Sequence, residues 1–141
     1  MPGPTIRIAT QPAEADRQAI VAALVAYNDR AGGPSHYQPM AILIQDESGA
    51  TVGGLWGKTV YDWLFVELFV VPESFRRQKL GSRILAQAED LARQRGCIGV
   101  WLDTYDFQAR GFYERCGYDV FGTIDDHPRN GCRFFLRKRL A

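Results

Sequence analysis

The chain has 141 residues, 46% of them hydrophobic and 23% charged, with a formal net charge of +1. That length fits one domain, 1–141, with enough chain for a sizeable core. The charge balance argues against a general nucleic-acid binder. No apolar run approaches the roughly 20 residues of a membrane span, and the N-terminus has no signal-peptide core, so a cytoplasmic protein without a membrane partner is expected. Cys97, Cys116 and Cys132 are odd in number and contain no Cys-x-x-Cys, which fits a reduced compartment. His36 and His127 form no ligand pattern with them, so no metal is expected.

In chain order, Thr5 to Thr10 reads as a first strand, with Ile6 and Ile8 on one face. Pro12 suits the first turn of a helix, and Glu14 and Asp16 suit its positive end. Ile20, Ala23, Leu24 and Tyr27 continue it to about Ala31, where Gly32-Gly33-Pro34 breaks it. A loop through Pro39 follows. Met40 to Gln45, the turn Asp46-Glu47-Ser48-Gly49, and Thr51 to Val60 read as a hairpin. Gly53, Gly54 and Gly57 suggest a bulge or a close backbone approach in its second strand. Trp56 belongs in the core or in a pocket lining, the core being the first expectation. A turn near Tyr61-Asp62 leads into a third strand, Trp63 to Val71.

That strand opens into Pro72-Glu73-Ser74-Phe75-Arg76-Arg77-Gln78-Lys79-Leu80-Gly81-Ser82 and then a helix. Leu80, Ile84, Ala88 and Leu91 form its apolar stripe, Arg83, Gln87, Asp90 and Gln94 its polar face, and Gly96 its C-cap. The first N–H groups of such a helix lack intrahelical partners and sit at the positive end of its dipole. With Arg76, Arg77 and Lys79 beside them, they make a place for a phosphate-bearing ligand. The spacing is neither a P-loop nor a dinucleotide fingerprint. Ile98 to Leu102 is the next strand. Strand, helix, strand at this separation reads as a right-handed crossover between parallel strands, so the sheet is mixed. Asp103 to Asp106 is a strand exit, Phe107 to Cys116 a short helix ended by Gly117, and Tyr118 to Thr123 and Arg133 to Arg139 a closing pair of strands. Their loop, Ile124 to Cys132, contains Asp125, Asp126, His127 and Pro128.

Arg76-x-x-Lys79-x-Gly81 resembles motif A of the GNAT N-acetyltransferase superfamily, Gln/Arg-x-x-Gly-x-Gly/Ala, with Lys79 at the first glycine position. Asp106-x-x-Ala109-x-x-Phe112-Tyr113-Glu114-Arg115-x-Gly117-Tyr118 resembles its second signature, Asn-x-x-Ala-x-x-x-Tyr-x-x-x-Gly-Phe/Tyr, with Asp106 replacing Asn. Both occur in the family's order and separation. The resemblance implies an α+β fold of three-layer α/β type, with a mixed, mostly antiparallel central sheet of about six to seven strands flanked by helices. It also implies acetyl-CoA as co-substrate. The strand edge Leu68, Phe69, Val70 and Val71 would pair with the pantetheine arm, and Arg76, Arg77, Gln78, Lys79, Leu80, Gly81 and Ser82 would cradle the pyrophosphate. Asp106, Ala109 and Tyr113 would contact the cofactor. Lys79 is unstrained there at negative φ and strained at positive φ.

The reaction implied is attack of a neutral amine on the thioester. Only about one lysine-like amine in two to three thousand is neutral at pH 7, so a base is useful. Glu67 on the strand before the phosphate turn is the candidate, with a water chain as the alternative and a structural pairing to an arginine as the bland one. Tyr113 matches the family's general acid for the departing thiolate, against a plain core tyrosine. His36 and Tyr37 are candidate acceptor contacts, and Asp125 and Asp126 candidate ammonium binders. A different acyl-CoA donor and a catalytically weak CoA-binding or interaction module are the rival readings. The acceptor amine is not specified, and a homodimer is compatible with the family.

Overall fold

In the computed structural model, residues 2–140 are described, Arg77 by its backbone only. The chain divides into two units, Met1–Ser35 and His36–Ala141.

In the first unit, α1 spans Glu14–Gly32. The Asp16 carboxylate accepts the Ala13 N–H at 3.3 Å, and Glu14 joins it in the first turn, where negative charge meets the helix dipole. Pro12 thus precedes the helix rather than opening it. Gly33, at φ 81°, ends it as expected. The predicted strand Thr5–Thr10 does not form, and the sheet is built without it. Ile6 and Ile8 are too short an alternation to specify a strand, and Pro4 and Pro12 bracket the segment.

In the second unit the strands are β1 (Gln38–Gln45), β2 (Thr51–Val60), β3 (Trp63–Val70), β4 (Gly99–Tyr105), β5 (Asp119–Asp125) and β6 (Cys132–Arg139). They form one sheet in the order β1-β2-β3-β4-β6-β5. Only β3 and β4 pair in parallel; the other pairs are antiparallel. A 3-10 turn (Glu73–Gln78) and α2 (Leu80–Gln94) make the β3–β4 crossover, and α3 (Arg110–Arg115) links β4 to β5. The mixed sheet read from the sequence is therefore present, with six strands among the described residues.

Side-chain alternation sets the two faces of the sheet. Leu64, Val66, Val100, Leu102 and Leu136 are buried with Ile84, Leu85, Ala88 and Ala92 of α2 and with Met40, Ile44 and Leu55 of the hairpin. Each fully buried aliphatic side chain contributes about 1.5–3 kcal/mol by leaving water. Ile84 and Ala88 of the expected stripe are buried, with Leu85 and Ala92 beside them, while Leu80 and Leu91 are only half-buried. Trp56 corrects an expectation: it is 49% exposed and lies outside the core. Its neighbour Leu55 takes the buried face, so alternation turns the indole to the other side.

The glycines of β2 do mark close approach. Gly54 sits at φ 132°, and a Cβ there would land on the Ile42 carbonyl oxygen of β1. A Cβ on Gly57 would meet the Phe65 carbonyl oxygen of β3. Gly54→Ala should therefore lower unfolding stability by about 2 kcal/mol or more, since both dihedral and contact are wrong. Gly122→Ala, which would meet only the Phe135 Cβ at 4.0 Å, should cost a few tenths by the same urea titration. Equal losses would show that the contact in β2 is relieved by relaxation.

Candidate active site

The β3–β4 ladder runs from Trp63↔Gly99 to Val66↔Leu102 and stops. Beyond it, β3 continues to Val70 paired only with β2, and β4 continues to Tyr105 paired only with β6. The cause lies in β3. Trp56 pairs with Leu68 and Gly57 with Val66, so Glu67 is an extra residue with no partner across. A bulge bends and twists its strand, and here it turns β3 away from β4. The result is a gap between two parallel strands, with main-chain groups of Glu67–Val70 open on the β4 side. Buried or not, such groups need partners, and a ligand with amide groups can supply them. Leu68 and Val70 are exposed, while Phe69 turns inward.

At the end of β3, Pro72 leads into the 3-10 turn and then α2. The first bond of the α2 ladder runs from the Arg83 N–H to the Lys79 carbonyl, 3.3 Å. The N–H groups of Leu80, Gly81 and Ser82 precede that ladder, and no described side chain caps them. Ser82 Oγ donates to the Lys79 carbonyl at 3.2 Å, and Arg76 Nε to the Val71 carbonyl at 3.1 Å. The Arg76 guanidinium thereby ties the turn to the strand exit. Lys79 adopts φ 56°, ψ 27°, the left-handed conformation, so of the two readings of this position the strained one holds. Gly81 needs no unusual φ. It is small because the Phe112 ring of α3 lies against it, 3.3 Å from where a Cβ would be.

α3 starts later than the sequence suggested. Gln108 Oε1 accepts the Tyr105 N–H at 2.7 Å and the Thr104 hydroxyl at 3.0 Å, which holds Phe107 and Gln108 in a turn. Tyr113 is buried, 8% exposed. Its ring lies 6.4 Å from Phe69, 5.2 Å from Phe112 and 6.1 Å from Tyr118. Phe69 belongs to β3 past the split, so the Tyr113 ring packs against the part of β3 that β4 leaves unpaired. Burial first, and the nearby Asp103 charge second, push its phenol up to about 12. Ala109 precedes the helix, and its carbonyl accepts the Tyr113 N–H at 3.3 Å. The Asp106 carboxylate accepts the Cys132 N–H at 3.1 Å, and the Asp106 N–H donates to the Cys132 carbonyl at 3.0 Å. Asp106 thus fastens the β5–β6 loop to the β4 exit.

Glu67 lies 3.7 Å from Lys58, both about a third exposed, so the structural pairing weighed against a role as base is present, with a lysine in place of an arginine. The β5–β6 turn lies at the split end of the sheet, since Arg133 pairs with Tyr105 and Cys132 with Asp125. Asp126 Oδ1 accepts the Asn130 N–H at 3.2 Å, and Asp125 Oδ1 the Cys132 thiol at 3.7 Å. Arg133 bridges Asp103 at 2.7 Å and reaches His127 Nε2 at 3.3 Å. Tyr105 and Phe107 stack at 5.4 Å beside them. His36 and Tyr37 are elsewhere. They precede Gln38, which pairs with Thr59, which pairs with Leu64, so they lie at the opposite end of the sheet from the gap. The sequence reading passed over Phe112, Gln108, Asp103 and Arg133. Only Phe112 carried a usable signal, an aromatic inside the second signature.

Two measurements test this geometry. A non-glycine residue in the left-handed region costs about 1–2 kcal/mol, so Lys79→Gly should be more stable than Lys79→Ala by about 1 kcal/mol in urea; no difference would mean the loop relaxes around residue 79. Tyr113 should remain protonated at alkaline pH. Wild type and Tyr113→Phe should show the same tyrosinate absorbance rise up to about pH 10.5, where an ordinary phenol of pKa near 10 is mostly ionised. The sign for stability follows: the folded pKa lies above the unfolded one, so the contribution is full below pH about 10 and is lost as pH rises through about 12.

Residues 9–118 match the acetyltransferase (GNAT) family model. The chain is 41% identical over 128 residues to Acetyltransferase Atu2258 of Agrobacterium fabrum (strain C58 / ATCC 33970), covering 91% of this chain and 93% of that protein. It is 44% identical over 95 residues to the blasticidin-S acetyltransferase of Streptomyces morookaense, covering 67% and 70% respectively. The crystal structure of an aminoglycoside 6'-N-acetyltransferase complexed with coenzyme A shares the fold, with a TM-score of 0.64 at 19% identity over 73% of each chain. With the split sheet, the open start of α2 and both signatures in place, the chain belongs to the GNAT acetyltransferase family and is an acetyltransferase.

Proposed function

We propose that the protein transfers the acetyl group of acetyl-CoA to a primary amine of a small cationic acceptor, by direct attack in a ternary complex. The observation that carries this is the gap opened by the bulge at Glu67, with the uncapped α2 start at one end and Tyr113 on its wall. The fit of the donor is physical. Open main-chain groups of β3 suit the amides of a pantetheine arm, and the N–H groups of Leu80, Gly81 and Ser82 suit a pyrophosphate. Lys79 adds a cation beside them. Acetyl-CoA supplies an activated thioester carbonyl.

The chain's own groups then have three tasks. Glu67, at the bend of the bulge, takes a proton from the incoming ammonium directly or through water. Lys58 pairs with that carboxylate at 3.7 Å and helps to fix its position. Tyr113, which burial keeps protonated, donates a hydrogen bond to the departing sulfur. The carboxylates of Asp103, Asp106, Asp125 and Asp126 gather where β4 exits and outnumber Arg129 and Arg133 there. This favours a positively charged acceptor, and the relative that acetylates blasticidin S makes that amine the first probe.

The test is thiol release from acetyl-CoA with blasticidin S, spermidine, an aminoglycoside and a lysine peptide. Activity should favour the small cationic amines, and no thiol release with any amine would overturn the reading. Tyr113→Phe should lower kcat about 10- to 100-fold, with the acetyl-CoA dissociation constant within about twofold of wild type by the ligand-induced Tm shift. Unchanged single-turnover rates would remove Tyr113 from this role. Lys79→Gly and Lys79→Ala should both weaken CoA binding and flatten its salt dependence. Equal or tighter binding at every ionic strength would make Lys79 a bystander.

A further inference from the structure

The end of α3 is built as a closed device. Cys116 is the C-cap, Gly117 follows at φ 96°, and the Tyr118 N–H returns to the Tyr113 carbonyl at 3.0 Å. The Gly117 N–H returns to the Glu114 carbonyl at 3.1 Å. These two bonds, with the Tyr113 and Tyr118 rings at 6.1 Å, make a Schellman motif with its apolar contact. Tyr113 is therefore the residue whose carbonyl and ring the motif clamps, and Tyr118 is the clamp.

Tyr118 is itself anchored. Its hydroxyl donates to Glu89 Oε2 of α2 at 2.7 Å. Lys138 of β6 donates to Glu89 Oε1 at 3.0 Å and to the Cys116 carbonyl at 3.0 Å. Its ammonium also lies 5.6 Å from the centre of the Tyr118 ring. Glu89 is 6% exposed and Tyr118 2%. A carboxylate buried mid-helix is costly unless paired and hydrogen-bonded, and here all its partners come from the end of α3 and from β6. A Phe at 118 would satisfy the signature and the ring contact equally well, so neither accounts for the hydroxyl's bond to Glu89.

We propose that Glu89, Tyr118 and Lys138 form a latch between α2, α3 and β6 that holds the Tyr113 ring at its working position in the gap, making all three positioning residues for acetyl transfer. This rests on the reading of Tyr113 as the proton donor. α2 carries the phosphate-binding turn at its start, and Phe112 of α3 touches that turn at Gly81. With the latch fixing the far end, α3 is held to α2 at two points. The distance between the turn and the Tyr113 hydroxyl is then set by rigid elements.

The experiment is a kinetic double-mutant cycle in the full chain, read as single-turnover rate at saturating acetyl-CoA and amine. Tyr118→Phe keeps the ring and removes one hydrogen bond, so it leaves the core filled; Glu89→Gln is the companion that keeps the shape and removes the charge. Tyr118→Phe should lower the rate about tenfold, as small misplacements of a reacting group do. KM for acetyl-CoA should stay within about twofold. In a Tyr113→Phe background the same substitution should have little further effect, because nothing remains to position. Equal losses in both backgrounds would overturn the latch in favour of a general structural role. A normal rate in Tyr118→Phe alongside a slow Tyr113→Phe would overturn the latch alone. A normal rate in Tyr113→Phe would sink the proton-donor reading and the latch with it.

Discussion

One unpaired residue organises this molecule. Glu67 stands between two register positions of the β2–β3 ladder, and the bend it imposes stops β3 and β4 from pairing beyond Val66 and Leu102. Without that bulge the parallel ladder would close, its main-chain groups would satisfy one another, and no edge would remain for a ligand. Gly57 flanks the bulge on β2, where a side chain would meet the Phe65 carbonyl. The gap and the carboxylate at its bend thus arise from one local irregularity.

The second constraint is how helices are fixed around the opening. α2 is driven onto the sheet by Ile84, Leu85, Ala88 and Ala92, so its start is placed beside the end of β3 by the same burial that stabilises the core. α3 has six residues and buries only Tyr113, too few to hold its place by apolar area alone. It relies on specific contacts instead: Phe112 against Gly81, Phe69 against both of its aromatics, and the polar group around Glu89. Apolar burial fixes the large helix, while ring contacts together with the hydrogen bonds at its C-cap fix the small one.

Much of this was legible in the sequence. The hairpin, the third strand, α2 and the crossover followed from alternation and helical spacing, because each segment was long enough for its period to declare itself. The gap could be inferred only through the family resemblance. A bulge is a mismatch between two strands, and neither strand carries it in its own composition; Glu67 looked like any carboxylate in an apolar run. The strand expected at Thr5–Thr10 failed because two isoleucines do not make a period. Trp56 was misjudged because its size was weighed and its parity with Leu55 was not. His36 and Tyr37 illustrate a third kind of failure. Their place depended on which way β1 runs relative to the split, a property of topology that no local stretch encodes. The buried Glu89 sat within a helical apolar stripe, at a position where a carboxylate conflicts with the pattern, and that conflict was the available signal.

The contact between Gly81 and Phe112 ties together two stretches that read as separate motifs. Gly81 belongs to the turn proposed to receive phosphates and Phe112 to the helix that carries Tyr113, yet the two are in contact. A side chain at residue 81 would press on the Phe112 ring, so that ring or α3 would have to give by a few tenths of an ångström. A chimera that takes this turn from one relative and α3 from another would match both signatures on paper while bringing together two surfaces not fitted to each other.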